Sequence, residues 1–213
     1  MSLDRKIGLY WSAIGASVSG RKFPIPASLG KAQVGYIGSM HTNTPFGWLM
    51  GHSPDAKKYT ALTGDDGHAC PSHSILFVRD GAGRLCVGDV TVPVSYWLPL
   101  TEFARGIQAG LYSNLRIFRV KGATVEQCEA AAAWWNSHVH NAPYDLWAFP
   151  KLIITVLFGK RFAGPDGYSW AFYCTEANGA SWNIGAGLKV YPANPRPLTE
   201  IELWKQGILE EVV

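Results

Sequence analysis

The sequence predicts an α+β fold: a small antiparallel sheet or barrel packed against a helix that carries a cysteine in its first turn. Three stretches predict it. His73-Ser74-Ile75-Leu76-Phe77-Val78-Arg79 and Arg84 to Val90 are compact apolar runs joined by the turn residues Asp80-Gly81-Ala82-Gly83, the pattern of paired strands. Thr124-Val125-Glu126-Gln127 is a capping box, a threonine with a glutamine three residues on, ahead of an alanine- and tryptophan-rich run. Trp170 to Gly179 passes from aromatic residues through Tyr173 to Cys174, and Thr175-Glu176 then opens a helix.

The bulk composition bounds the fold and the function. A chain of 213 residues fits one domain or one domain with an extension. At 47% hydrophobic and 13% aromatic, with nine tryptophans, it can fill a sizeable core. The net charge is +3, only 16% of residues are charged, and no basic run tracks a phosphate backbone, so a nucleic-acid partner is not expected. The four cysteines, at 70, 86, 128 and 174, form no CxxC pair, which leans toward a reducing compartment and a cytoplasmic location. Serines and glycines interrupt the run from Ile7 to Val18, which makes a poor signal peptide. The longest apolar run, Leu146 to Phe158, is broken by Pro150-Lys151 and falls short of the roughly 18–20 residues of a membrane span.

Taken in order, residues 1–65 read as an irregular N-terminal region packed on a core of 66–213, all in a single domain. Lys31 to Met40 could hold a short strand, and Thr42 to Asp66 reads as loop-rich, with turns at Ser53-Pro54-Asp55 and Gly64 to Gly67. After the two paired strands, Thr91 to Tyr96 alternates as a further strand. Pro99 to Phe103 turns into a short helix closed by Gly106. Leu115 to Val120 alternates apolar and basic residues, as a half-exposed strand does. The capping-box helix runs from Val125 to about His140 and ends before Pro143; a second helix runs from Pro150 to Phe158 and stops at Gly159. The cysteine helix spans roughly 174–182. Asn194 to Pro197 is extended, and Thr199-Glu200-Ile201-Glu202 repeats the capping-box pattern at a C-terminal helix through Trp204.

Cys174 is the candidate nucleophile. The positive end of a helix dipole favours thiolate over thiol, and free backbone N–H groups there can hold an oxyanion. The alternative is a small buried hydrophobe. A nucleophilic cysteine needs a base and usually a third group that orients the base. Of six histidines, His73 stands out at the edge of an apolar strand, while His138 and His140 are accounted for by a helix C-terminus. Asp89, near the end of the following strand, could reach the His73 ring if the two strands pair; Gly88-Asp89 is also an ordinary turn dipeptide. A rival reading is a zinc site from His68, Cys70 and His73 with Cys86 as fourth ligand, although a second ligand pair at familiar spacing is missing. No metal or cofactor is expected.

The order of these motifs carries a resemblance. Ser72-His73-Ser74-Ile75-Leu76-Phe77-Val78 comes first, then Pro99-Leu100-Thr101-Glu102-Phe103, Pro143-Tyr144-Asp145, Tyr173-Cys174-Thr175-Glu176 and Pro197-Leu198-Thr199. From about residue 70 to 204, this resembles the circularly permuted branch of the NlpC/P60 papain-like superfamily, the group with YiiX-type proteins and lecithin:retinol acyltransferase relatives, in which the histidine strand precedes the cysteine helix. The resemblance implies a papain-like fold, with Cys174 as nucleophile, His73 as base and a polar orienting residue on the next strand. The family often has Glu there; Asp89 is the nearest match. Tyr173 would line the oxyanion site, and Tyr144 and Asp145 would buttress it. The implied activity is cysteine hydrolysis of a cell-wall peptide, amide or acyl substrate through a thioester. A lipid acyltransferase and a non-catalytic binding or structural protein of a phage or bacterium on the same scaffold are the alternatives. Residues 1–65 have no counterpart in the resemblance.

Overall fold

A computed structural model describes residues 23–145 and 173–213. Those residues form an α+β arrangement around an open antiparallel sheet. The strands are β1 (Ile37–Thr42), β2 (His73–Arg79), β3 (Leu85–Asp89), β4 (Tyr96–Pro99), β5 (Tyr112–Val120) and β6 (Leu209–Glu211). They are ordered β4-β3-β2-β1-β5-β6, and every adjacent pair is antiparallel. The helices are α1 (Pro45–Gly51), α2 (Pro54–Thr63), α3 (Leu100–Gln108), α4 (Val125–His138), α5 (Cys174–Ala180) and α6 (Thr199–Lys205). The expected helix from Pro150 to Phe158, and the aromatic residues just before Tyr173, lie outside the described residues.

Both faces of the sheet are covered, and strand alternation divides them. On β2, Leu76 and Val78 face one cluster with Trp135 of α4, Ala177 of α5 and Ile201 of α6. Ile75 and Phe77 face the other, with Val87, Leu98 and Phe103 and Ile107 of α3. A strand buried on both faces reads as a continuous apolar run, which is why His73–Arg79 was legible as a strand.

Among the described residues, the segment before residue 66 is not irregular. β1 lies inside the sheet between β2 and β5, and its residues Ile37 to His41 are all buried. Gly38 and Ser39 dilute its apolar signal, yet the small residue is required: a Cβ on Gly38 would lie 2.6 Å from the Ile75 side chain. The expected loop from Thr42 to Asp66 holds α1 and α2. Each opens with a hydroxyl cap and proline in its first turn: Thr44 before Pro45, and Ser53 before Pro54. Ser53-Pro54-Asp55 is therefore a helix start, not a turn.

Three later boundaries also differ from expectation. The strand expected at Thr91 to Tyr96 begins at Tyr96; Pro93 has no N–H to give a ladder, and its carbonyl instead accepts from Tyr144 N. β5 starts earlier than expected, at Tyr112. The second capping box does not form, because Leu198 is the N-cap of α6 and makes no side-chain cap bond. Thr199 Oγ1 instead accepts from Arg196 N at 2.8 Å, and Glu200 is fully buried. The first capping box does form: Thr124 N donates to Gln127 Oε1, and Gln127 N to Thr124 Oγ1. α5 is continued by a π-helical turn, Ser181–Gly185, which carries the fully buried Trp182.

Candidate active site

The hairpin places the first two groups. β2 and β3 pair with Leu76 opposite Gly88, so the register carries Asp89 opposite Ile75 and makes His73 its diagonal neighbour on the same face. Long side chains reach across such a diagonal, and His73 Nε2 lies 2.7 Å from Asp89 Oδ1. Both side chains are largely withdrawn from water, at 13% and 4% exposure. Gly88 lets the strand approach α4: a Cβ there would meet the Trp135 ring at 2.8 Å. On the other side of β3, Asp89 pairs directly with Tyr96, and its charge acts on the Tyr96 hydroxyl. Burial and the nearby Asp89 charge push the hydroxyls of Tyr96 and Tyr112 well above the ordinary tyrosine range, so both rings stay neutral donors.

α5 brings the third group. Tyr173 is its extended N-cap and makes no side-chain cap bond, so Cys174 stands in a first turn whose N–H groups no capping side chain occupies. The Cys174 sulfur lies 3.8 Å from Thr175 Oγ1, and Cys174 acts electrostatically on the His73 ring. Burial pulls the His73 pKa down, but the Asp89 charge, its hydrogen bond and the Cys174 contact push the other way, and the net result is a rise to about 10. An imidazolium is thus the favoured form at neutral pH.

Cys174, His73 and Asp89 line one cavity of about 190 Å³. Its wall is aromatic and hydroxylic. Phe46, Tyr96, Tyr112 and Tyr144 supply rings, and Thr42, Thr44 and Ser72 supply hydroxyls. Thr42 Oγ1 lies 2.8 Å from Ser72 Oγ and 3.1 Å from Thr44 Oγ1, which fixes the rim of β1 against the start of β2. The site therefore draws on residues before position 66.

The remaining expected residues fall in different places. Tyr173 lines the cavity, but its hydroxyl donates to the Pro195 carbonyl, so the proton expected at an oxyanion is already committed. What Tyr173 contributes is the ring and the extended turn into the helix. Tyr144 lines the cavity, and burial followed by the Cys174 and Asp145 charges raises its pKa. Asp145 is adjacent and acts on Tyr144 through its charge. The zinc reading is not supported by the placement of its residues. His68 packs edge-on against His52 with centroids 4.8 Å apart. The Cys70 and Cys86 thiols are buried, point at backbone carbonyls and are pushed up to about 12, chiefly by burial. Among the described residues no group of three metal-ligating side chains is assembled.

Sequence reasoning missed Tyr96, Tyr112, Thr42 and Ser72 at the cavity, and a buried polar cluster of Ser74, Asn178, Tyr191 and Glu200 behind it. Only Glu200 carried a readable signal, an acidic residue beside apolar Leu198 and Ile201. Compared with known proteins, the chain matches no protein-family model and no curated protein. Among the described residues, no helix is long and apolar enough to cross a membrane.

Proposed function

We propose that the protein is a cysteine hydrolase of the papain-like type, acting on an amide, peptide or other acyl substrate. One observation carries the reading: Cys174, His73 and Asp89 line a single cavity, with His73 hydrogen-bonded to Asp89 and under the electrostatic influence of Cys174. The helix start lowers the cost of a thiolate, and Asp89 favours the imidazolium beside it. The thiolate attacks the substrate carbonyl carbon, and the carbonyl electron pair moves to oxygen, where N–H groups of the first α5 turn stabilise it. As the tetrahedral species collapses, the bond to the leaving group breaks and the His73 imidazolium gives that group its proton. His73, now neutral, takes a proton from water; the hydroxide adds to the thioester, and the acid and the Cys174 thiolate are released.

The permuted NlpC/P60 resemblance supports the same assignment, because it puts a histidine strand ahead of a cysteine helix. The four cysteines are free thiols, the state a reducing compartment maintains. An aromatic cavity wall also suits an apolar acyl group, so acyl transfer to an amine or alcohol is the second reading. It differs only in the nucleophile that resolves the thioester.

The test is site-resolved alkylation with iodoacetamide across pH, read by mass spectrometry, for the wild type and His73→Ala. The expected result is preferential labelling of Cys174 with a midpoint well below the free-thiol value of about 8.5, lost in His73→Ala. A wild-type midpoint near that value and unchanged by the substitution would show a scaffold without catalytic function.

A further inference from the structure

The buried cluster behind the cavity joins the two elements that carry the reacting pair. Ser74 directly follows His73 on β2, and its hydroxyl donates to Glu200 Oε1 at 2.7 Å. Asn178, one helical turn after Cys174 on α5, donates through Nδ2 to Ser74 Oγ at 2.5 Å and to the Ile75 carbonyl at 3.3 Å. Tyr191 donates its hydroxyl to the same Glu200 oxygen at 3.3 Å. Donor and acceptor roles are set along the chain. The amide nitrogen of Asn178 can only donate, so Ser74 Oγ accepts from it, while the Ser74 hydroxyl donates to Glu200 Oε1. All four residues are buried, Ser74, Asn178 and Glu200 at 1% exposure or less.

Such a cluster needs a reason. An ionisable group withdrawn from water is costly unless it is hydrogen-bonded, and an apolar residue would pack between β2 and α6 without that cost. Burial raises the Glu200 pKa to about 7, against the hydrogen bonds from Ser74 and Tyr191 that favour its ionised form. A network of directed bonds fixes a strand and a helix in one register more tightly than apolar contact does.

We propose that Glu200 is a positioning residue: acting through Ser74 and Asn178, it holds the His73 strand and the Cys174 helix at the separation the thiolate–imidazolium pair requires. The proposal rests on the Cys174–His73 reading above. Its effect on the reaction passes through geometry alone, since Glu200 touches neither reacting side chain by any hydrogen bond of the network.

The experiment compares Glu200→Gln, Glu200→Ala, Ser74→Ala and wild type by circular dichroism and by the pH profile of Cys174 alkylation. Glutamine keeps an oxygen that accepts from Ser74 and Tyr191, so E200Q is expected to stay within about twofold of wild type at neutral pH. E200A and S74A are expected to slow Cys174 labelling about tenfold or more and to move its midpoint toward the free-thiol value of about 8.5. S74A removes only one oxygen atom and keeps the reading available if E200A does not fold. Folded S74A with a wild-type profile overturns the proposal, as does E200Q matching E200A. If His73→Ala moves the profile while S74A does not, the positioning role alone fails; if neither moves it, the catalytic reading fails with it.

Discussion

His73 and Asp89 are not opposite each other across the β2–β3 ladder; they are diagonal partners, with Nε2 and Oδ1 2.7 Å apart. The ring so held lines the same cavity as Cys174. A direct cross-strand pair is instead made by Asp89 with Tyr96. One carboxylate is thus bonded to a ring nitrogen from one neighbouring strand and stands opposite a tyrosine of the other.

Asp89→Asn should lower the His73 pKa. Burial already acts downward, and the Asp89 charge and hydrogen bond act upward to give about 10. Without the charge the value should fall toward or below the ordinary histidine value of about 6.5. NMR titration of the ring checks this. Leaving-group protonation needs the imidazolium, so the alkaline limb of substrate turnover should move down in parallel, from near 10 toward neutrality.

The same pair should make stability depend on pH in one direction. The folded-state pKa of His73 is raised, to about 10. Its contribution is therefore fully present below the unfolded value of about 6.5 and is lost as pH rises through the folded value. Urea melts of wild type and Asp89→Asn should differ most near pH 6 and converge above about pH 10.

Gly88→Ala tests how the site is held from behind. The new methyl would meet the buried Trp135 ring at 2.8 Å, so β3 or α4 must shift. Overpacking of this kind costs about 1–3 kcal/mol. The expected result is a lower urea midpoint together with weaker coupling of His73 to Asp89, read as a lowered ring pKa.

Thr124→Ala supplies the structural control. It removes one half of the capping box on α4 and should cost about 1 kcal/mol. The box lies at the start of α4, and Thr124 is absent from the cavity wall. The urea midpoint should fall while the pH profile of Cys174 alkylation stays where it was. A shifted profile would show that global stability, not the site, governs thiol reactivity.

Local chemistry decided much of this protein. The Thr124–Gln127 box, the His73–Arg79 and Leu85–Asp89 strands and the helix beginning at Cys174 each depend on near neighbours in the chain, so each was legible in the sequence. The pairing of those strands also made the His73–Asp89 contact foreseeable, because a hairpin fixes which residues share a face. Tertiary structure decided the rest. β1 has no strong pattern of its own and becomes an inner strand by fitting Gly38 against Ile75. Tyr173 lost its expected oxyanion role to the Pro195 carbonyl, 22 residues away in sequence. Glu200, an inner position of the expected capping box, is instead a buried partner of Ser74, 126 residues away. Neither long-range partner leaves a periodic trace in the chain, since hydrogen bonds between distant segments are set by where the sheet and helices pack and not by spacing along the sequence.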